Sequence, residues 1–296
     1  MRKTYLTAAL IVLIASACNK NQDAGMLAAT ETATDASTPP SDELDFAADA
    51  AIPHVCIDKF AGTEPIIMDK EDGGPQTEAV FLKGTKWENG KTLRVFFMNG
   101  SEFLQGKVMK YARAWVDYAN IHFLKVDNKA QSDIRVGFKI NGDKGSWSYF
   151  GTDAEKYRKG LQTMNFGWFN ANTEEKEFSR TITHEFGHAL GLGHEQLSPV
   201  EEINWDKPKV YDYYMGPPNN WTRAQVDANI FDKYKPSEVR NTKFDPLSIM
   251  QYPVPAELTT DGKAIGWNYY LSTKDKNFIG AIYTGGGTTV GEPANF

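Results

Sequence analysis

Residues His184-Glu185-Phe186-Gly187-His188-Ala189-Leu190-Gly191-Leu192-Gly193-His194 constrain this chain more than any other stretch. Two histidines four residues apart lie one turn apart on the same face of an α-helix, so both imidazoles can reach one metal ion. Glu185, beside the first of them, can address a water on that metal without being a ligand itself. The helix must then stop, because a third ligand has to return from a different direction. Gly191 and Gly193 supply the break, since glycine enters the left-handed backbone without steric cost. His194 follows the turn and completes a three-histidine set. A tetrahedral zinc held this way keeps its fourth position open, which separates a catalytic ion from a structural one. A bare His-Glu-x-x-His also occurs on ordinary polar helix faces; in the eleven-residue pattern every residue has its own mechanical task.

A second element lies downstream at Ser248-Ile249-Met250-Gln251-Tyr252. The two together resemble the metzincin zinc peptidases, in which a methionine turn underlies the zinc site. Within that clan, Glu195-Gln196 after the third histidine and the Ser-Ile-Met-x-Tyr turn resemble the astacin family, over roughly Val80 to Thr284. The resemblance implies an α+β fold: a twisted mixed sheet with long helices in an N-terminal subdomain, a loop-rich C-terminal subdomain, and a cleft between them. It implies a zinc endopeptidase with one catalytic zinc on His184, His188 and His194 and with Glu185 as general base. Tyr252 matches the tyrosine that ligates zinc at rest and swings to hydrogen-bond the oxyanion. Met250 would pack beneath the ligands, Gly191 would end the helix, and Glu195 would anchor a newly formed N-terminus or order the subdomain junction. The implied substrate is a protein or peptide laid in extended form along an edge strand, expected near Trp147 to Phe150.

The chain departs from that family in two places. Its two cysteines, Cys18 and Cys56, leave little room for the disulfides that astacins commonly carry. Phe60-Ala61-Gly62 is followed by Thr63 and Glu64, so the family's inhibitory Phe-x-Gly-Asp motif is absent.

The N-terminus reads as a targeting segment. Arg2 and Lys3 precede an apolar run from Leu6 to Ala15 and then Ser16-Ala17-Cys18, the layout of a secretory signal over residues 1–17. A cysteine after small residues resembles a bacterial lipobox, in which Cys18 becomes the lipidated first residue of an envelope lipoprotein, expected in the outer membrane. Plain secretion with Cys18 removed is the other reading. Residues 18–50 are Ala, Thr, Asp, Ser and Pro with few large apolar groups and read as a disordered tether. Residues 51–79 occupy the place of a propeptide, 80–285 form the catalytic domain, and 286–296 a C-terminal tail. With Cys18 lipidated, no second cysteine is left to bridge Cys56. Thiolate is a strong zinc ligand, so Cys56 is a candidate plug for the open position, holding a zymogen; as a small buried hydrophobe it would have no such role.

Composition adds bounds. With 296 residues, 41% hydrophobic and 12% aromatic, the chain can bury one sizeable core plus appendages. A net charge of −6 gives no reason to expect nucleic acid, no segment beyond the N-terminus is apolar enough to span a membrane, and a monomer is expected. Pattern predicts strands at 92–97, 121–126, 134–140 and 160–166, and a helix from Glu102 to Asn120 with Trp115 in its buried stripe. The metal helix is predicted to be capped by Asn172 with Glu175, a short helix to surround Val226 and Ile230, and a final helix to be capped by Ser272 to Asp275. His54 and His122 fall outside the motif. Two other functions stay open: a catalytically silent zinc-binding envelope lipoprotein on this scaffold, and a zinc hydrolase of non-peptide amides or esters. The retained Glu185 argues against the first.

Overall fold

A computed structural model describes residues 54–56 and 80–285, apart from 158, 218 and 242. The expected signal segment, Cys18, the tether, most of 51–79 and nearly all of the tail lie outside the described residues. After β1 (Phe81–Leu82) comes β2 (Thr92–Phe97), where buried Leu93, Val95 and Phe97 alternate with more exposed neighbours, the period-two pattern of a strand with one covered face. The helix α1 (Glu102–Ala112) starts on Ser101, whose hydroxyl accepts from the Leu104 N–H at 3.4 Å. It is shorter than predicted. A tight turn at Arg113–Trp115 ends it, and the Asn120 N–H goes to the Tyr283 carbonyl at 2.9 Å instead of continuing the ladder.

Four further strands, β3 (His122–Lys125), β4 (Ile134–Gly137), β5 (Ser146–Ser148) and β6 (Met164–Phe166), complete a mixed sheet in the order β3-β2-β4-β6-β5. Among the described residues β5 is the antiparallel member, pairing with β6 and forming the sheet edge, near where an edge strand was expected. Strand β4 stops earlier than predicted. The Asn99 side chain accepts the Phe138 N–H at 2.7 Å, and Lys139 and Asn141 turn through left-handed conformations at φ 52° and 54°.

Helix α2 (Glu175–Ala189) packs on α1 and β5. Its Phe178, Ile182 and Phe186, with Leu190 just past its end, are buried as the helical period required. The predicted cap does not form. The Asn172 N–H is taken by Asn170 Oδ1 at 2.8 Å, and the helix begins after Glu174. Glu175 turns instead to Lys107, Lys110 and Tyr111 of α1, because charge-assisted donors outcompete a single backbone N–H.

Beyond the motif the chain holds a helix that its prolines concealed, α3 (Lys207–Met215). Pro208 sits in the first turn, where its missing N–H costs nothing, and Asp206 caps. The short α4 (Arg223–Val226) widens into a further turn over Asp227–Phe231, so the predicted helix around Val226 and Ile230 is present. Strand β7 (Val239–Arg240) pairs with β1. Helix α5 (Thr273–Ile282) opens on the predicted reciprocal cap: Ser272 Oγ accepts from the Asp275 N–H and Asp275 Oδ2 from the Ser272 N–H, each at 2.9 Å.

Two apolar cores result. The first joins the sheet with α1, α2, α5 and Met250. The second gathers Val210, Tyr214, Trp221, Val226 and Ile230 around Tyr252, together with Val55 and Cys56 from far up the chain. Among the described residues no helix is long and apolar enough to cross a membrane.

Candidate active site

The motif sits between the two cores. His184 and His188 project from α2, and the helix ends in a Schellman turn: the Gly191 N–H reaches the His188 carbonyl at 2.7 Å and the Leu192 N–H the Gly187 carbonyl at 3.0 Å. Gly191 takes φ 95°, a conformation that favours glycine, and an added Cβ there would meet Thr85 and Phe81 at 2.6 and 2.7 Å. The turn brings His194 back toward the helix. It also orients His188, whose Nδ1–H donates to the Leu192 carbonyl at 2.8 Å. His184 is fixed the same way, Nδ1–H donating to the Ile249 carbonyl at 2.8 Å. A carbonyl can only accept, so in both rings the proton is on Nδ1 and Nε2 presents a lone pair.

Those lone pairs converge. The Nε2 atoms of His184, His188 and His194 lie 3.1 to 3.2 Å apart, and Cys56 Sγ lies 3.0, 3.4 and 3.0 Å from them in that order. Zinc–nitrogen bonds of about 2.05 Å and a zinc–sulfur bond of about 2.3 Å give tetrahedron edges of roughly 3.3 and 3.6 Å. The four donors therefore fit a slightly compressed zinc tetrahedron, and among the described residues they are the group able to hold a metal ion. Burial, with His188 and His194 close by, keeps the His184 imidazole well below its usual pKa, so the ring is neutral and ready to ligate.

A family model described as Astacin, a peptidase family, matches residues 80–263. The chain belongs to the astacin family. Astacins are zinc metallopeptidases, and the mixed sheet with its helices is their α+β fold. A solved structure of myroilysin is 43% identical with a TM-score of 0.67, the match covering 69% of this chain and 98% of that one. Serralysin A of Dickeya chrysanthemi is 33% identical over 104 residues, 32% of this chain and 21% of the relative. Karilysin of Tannerella forsythia is 25% identical over 164 residues, 49% of this chain and 33% of the relative. The chain thus spans between a fifth and a third of the length of these two relatives.

In this astacin the methionine turn lies under the helix. An added Cβ on Gly187 would stand 2.4 Å from Met250 Sδ, so the small residue between the two histidines is what lets Met250 pack there. The Glu195 N–H donates to the Met250 carbonyl at 3.0 Å, its carboxylate accepts the Asp245 N–H at 2.8 Å, and Gln196 Oε1 accepts the Tyr252 N–H at 3.2 Å. Glu195 thus bridges the methionine turn and the backbone at Asp245; burial pushes its carboxyl up to about 8.

Asp275 is a residue whose second task no sequence pattern announced. Besides capping α5 it accepts the Ile249 N–H and the Ser248 hydroxyl at 2.8 and 2.7 Å, and the Ile249 carbonyl in turn holds His184. Burial pushes its carboxyl up to about 6, with the Ile249, Ser248 and Ser272 donors pulling the other way, so it is an ionised acceptor at neutral pH. Asp275→Asn, which turns two of these acceptor contacts toward an amide, is expected to weaken zinc binding by about 10- to 100-fold. Competition against a chromophoric zinc chelator reads this; an unchanged affinity would mean that Asp275 only caps α5.

Tyr252 stands over the same cluster, its ring 4.5 Å from that of His194. Its hydroxyl donates to the Cys56 carbonyl and lies 4.0 Å from the Cys56 sulfur. Glu185 is buried on the wall of the cleft, which Cys56, Trp168, Arg180 and Trp267 also line. His122 is exposed on β3 and is not among the converging donors. His54, unassigned from sequence, lies against Trp168 near that cleft.

Proposed function

We propose that this astacin is an exported zinc endopeptidase held latent by its own Cys56. The observation that carries the reading is the convergence of three imidazole Nε2 atoms on one point, with a cysteine sulfur as the fourth corner. Bound there, zinc supplies a Lewis acid and a water acidified to near neutral pH. Everything else is the work of the chain. His184, His188 and His194 hold the ion, the first two with tautomers fixed by the Ile249 and Leu192 carbonyls. Glu185 takes the proton of the attacking water and hands it to the leaving amine. Tyr252, once released from the Cys56 carbonyl, is a ligand at rest and donates to the substrate's carbonyl oxygen as charge develops there. The outer edge of β5 is the strand that would pair with the main chain of an extended protein or peptide, the mode that makes peptide the fitting substrate class.

Latency follows from chemistry: a thiolate in the fourth position leaves no place for water. The organisation consistent with this is a signal over 1–17, a lipid on Cys18, a tether over 18–50, a pro-segment over 51–79 and the catalytic domain over 80–285, followed by a tail. The silent-scaffold alternative is disfavoured by Glu185, retained on the cleft wall. The test is casein hydrolysis by the chain freed of residues 51–79, with and without chelator. Cleavage that stops on chelation and returns with zinc supports the reading. A chain that binds one zinc and cleaves nothing in any form moves the silent lipoprotein ahead of it.

A further inference from the structure

One carboxylate organises the cleft wall about two helical turns ahead of the first metal ligand. Glu177 Oε1 accepts from Trp168 Nε1 at 2.9 Å, from Arg180 Nη2 at 2.6 Å and from the Thr181 hydroxyl at 2.9 Å, while its Oε2 accepts from Arg180 Nε at 3.0 Å. The Arg180 guanidinium also lies over the Trp267 ring, 4.1 Å from its centre. With its N–H occupied by Glu177, Trp168 has a flat face left to offer, and His54 lies on it: ring centres 4.8 Å apart, planes 15° from parallel. Arg180 Nη2 holds the same residue by its main chain, donating to the His54 carbonyl at 3.3 Å. His54 is thus gripped twice, by ring and by backbone, two residues ahead of the sulfur among the histidines.

We propose that Trp168 and Arg180, locked together by Glu177, are a substrate subsite that takes a residue with a flat side chain, aromatic or imidazole. The inference rests on the peptidase reading, and residues 54–56 mark the subsite by occupying it. Arg180 reads a main-chain carbonyl, which every peptide has, so it sets binding for all substrates alike. Trp168 reads the side chain. A planar ring gains offset stacking on the indole that an aliphatic group cannot match, and the nearby guanidinium repels a cation. Glu177 is a positioning residue: it touches no substrate and acts by fixing the other two.

The test uses the full chain carrying Cys56→Ala, with two readouts. Acetyl-Pro-X-Val-Cys-amide peptides are assayed as inhibitors of casein hydrolysis, and the cut sites in casein are mapped by mass spectrometry. With X as His, Phe or Trp, inhibition is expected to be roughly five- to tenfold tighter than with Ala or Lys, the size of one stacked ring pair. Cut sites are expected to be enriched in flat side chains at one fixed position near the cleaved bond. Trp168→Ala abolishes both preferences, and Trp168→Leu, which keeps apolar bulk without the flat face, does the same where the alanine variant fails to fold. Arg180→Ala weakens every peptide equally and keeps the ranking. Glu177→Gln raises KM and flattens the ranking with kcat unchanged, whereas a merely structural role would lower kcat as well. A ranking that is flat in the parent, or one that survives both Trp168 variants, overturns the subsite. A Cys56→Ala chain that cleaves no casein even after residues 51–79 are removed overturns the peptidase reading itself, and the subsite with it.

Discussion

Glu185→Ala lowers casein hydrolysis by about a thousandfold, within the range for loss of a positioned general base, and leaves zinc binding intact. The two halves of this result separate chemistry from architecture. Glu185 is buried on the cleft wall and is absent from the group of donors that converge on the metal position. Removing its carboxylate therefore takes away the acceptor for the water's proton and leaves four ligand atoms where they are. One bound zinc per chain, with activity lost, assigns Glu185 the proton transfer. Loss of zinc along with activity would make it a support for the histidines. Undiminished hydrolysis would remove it from the mechanism altogether.

Cys56→Ala in the unprocessed chain raises casein hydrolysis on the order of a hundredfold. A tethered ligand meets its site at an effective concentration in the millimolar range, so even a micromolar intrinsic affinity keeps nearly every molecule closed. The gain stays below full release because the rest of the segment still binds: Val55 is packed in the second core, and His54 is held by Trp168 and Arg180. The same variant surrenders zinc to a chelator faster than the parent, since a thiolate leaves the coordination shell with it. Full activity of the unprocessed parent, with no gain in the variant, would reduce Cys56 to a buried apolar residue.

The parts of the site that repeat at short range were legible in the sequence. The spacing of His184, His188 and His194 fixed a helix, a turn and a return, and the structure answers with α2 and a left-handed Gly191. The buried stripe of α2, the alternation of β2 and the cap of α5 are local patterns of the same kind. What escaped was set by tertiary competition. Asn172 had a capping sequence, but the donors of α1 drew Glu175 away from it. Pro208 looked like a loop residue until Asp206 gave it a helix start to occupy. Cys56 could be named as a candidate ligand from its chemistry, yet no periodicity says that it lies against His184, a contact across 128 residues of chain. Trp168 and Arg180 carry no motif; their meeting depends on Glu177 facing both at once.

The support that runs from Asp275 through Ile249 to His184 has a consequence for the order of synthesis. A ribosome delivers this chain from the N-terminal side, so the sulfur proposed to close the site emerges ahead of the imidazoles, and the carboxylate that steadies the first of them later still. When His194 has just been made, the proposed stopper is already present and the supporting frame is still incomplete. On the latency proposed above, a molecule whose synthesis stops short of α5 carries its stopper but lacks this support, and competence to cut is reached only after α5 has docked and the segment bearing Cys56 has gone.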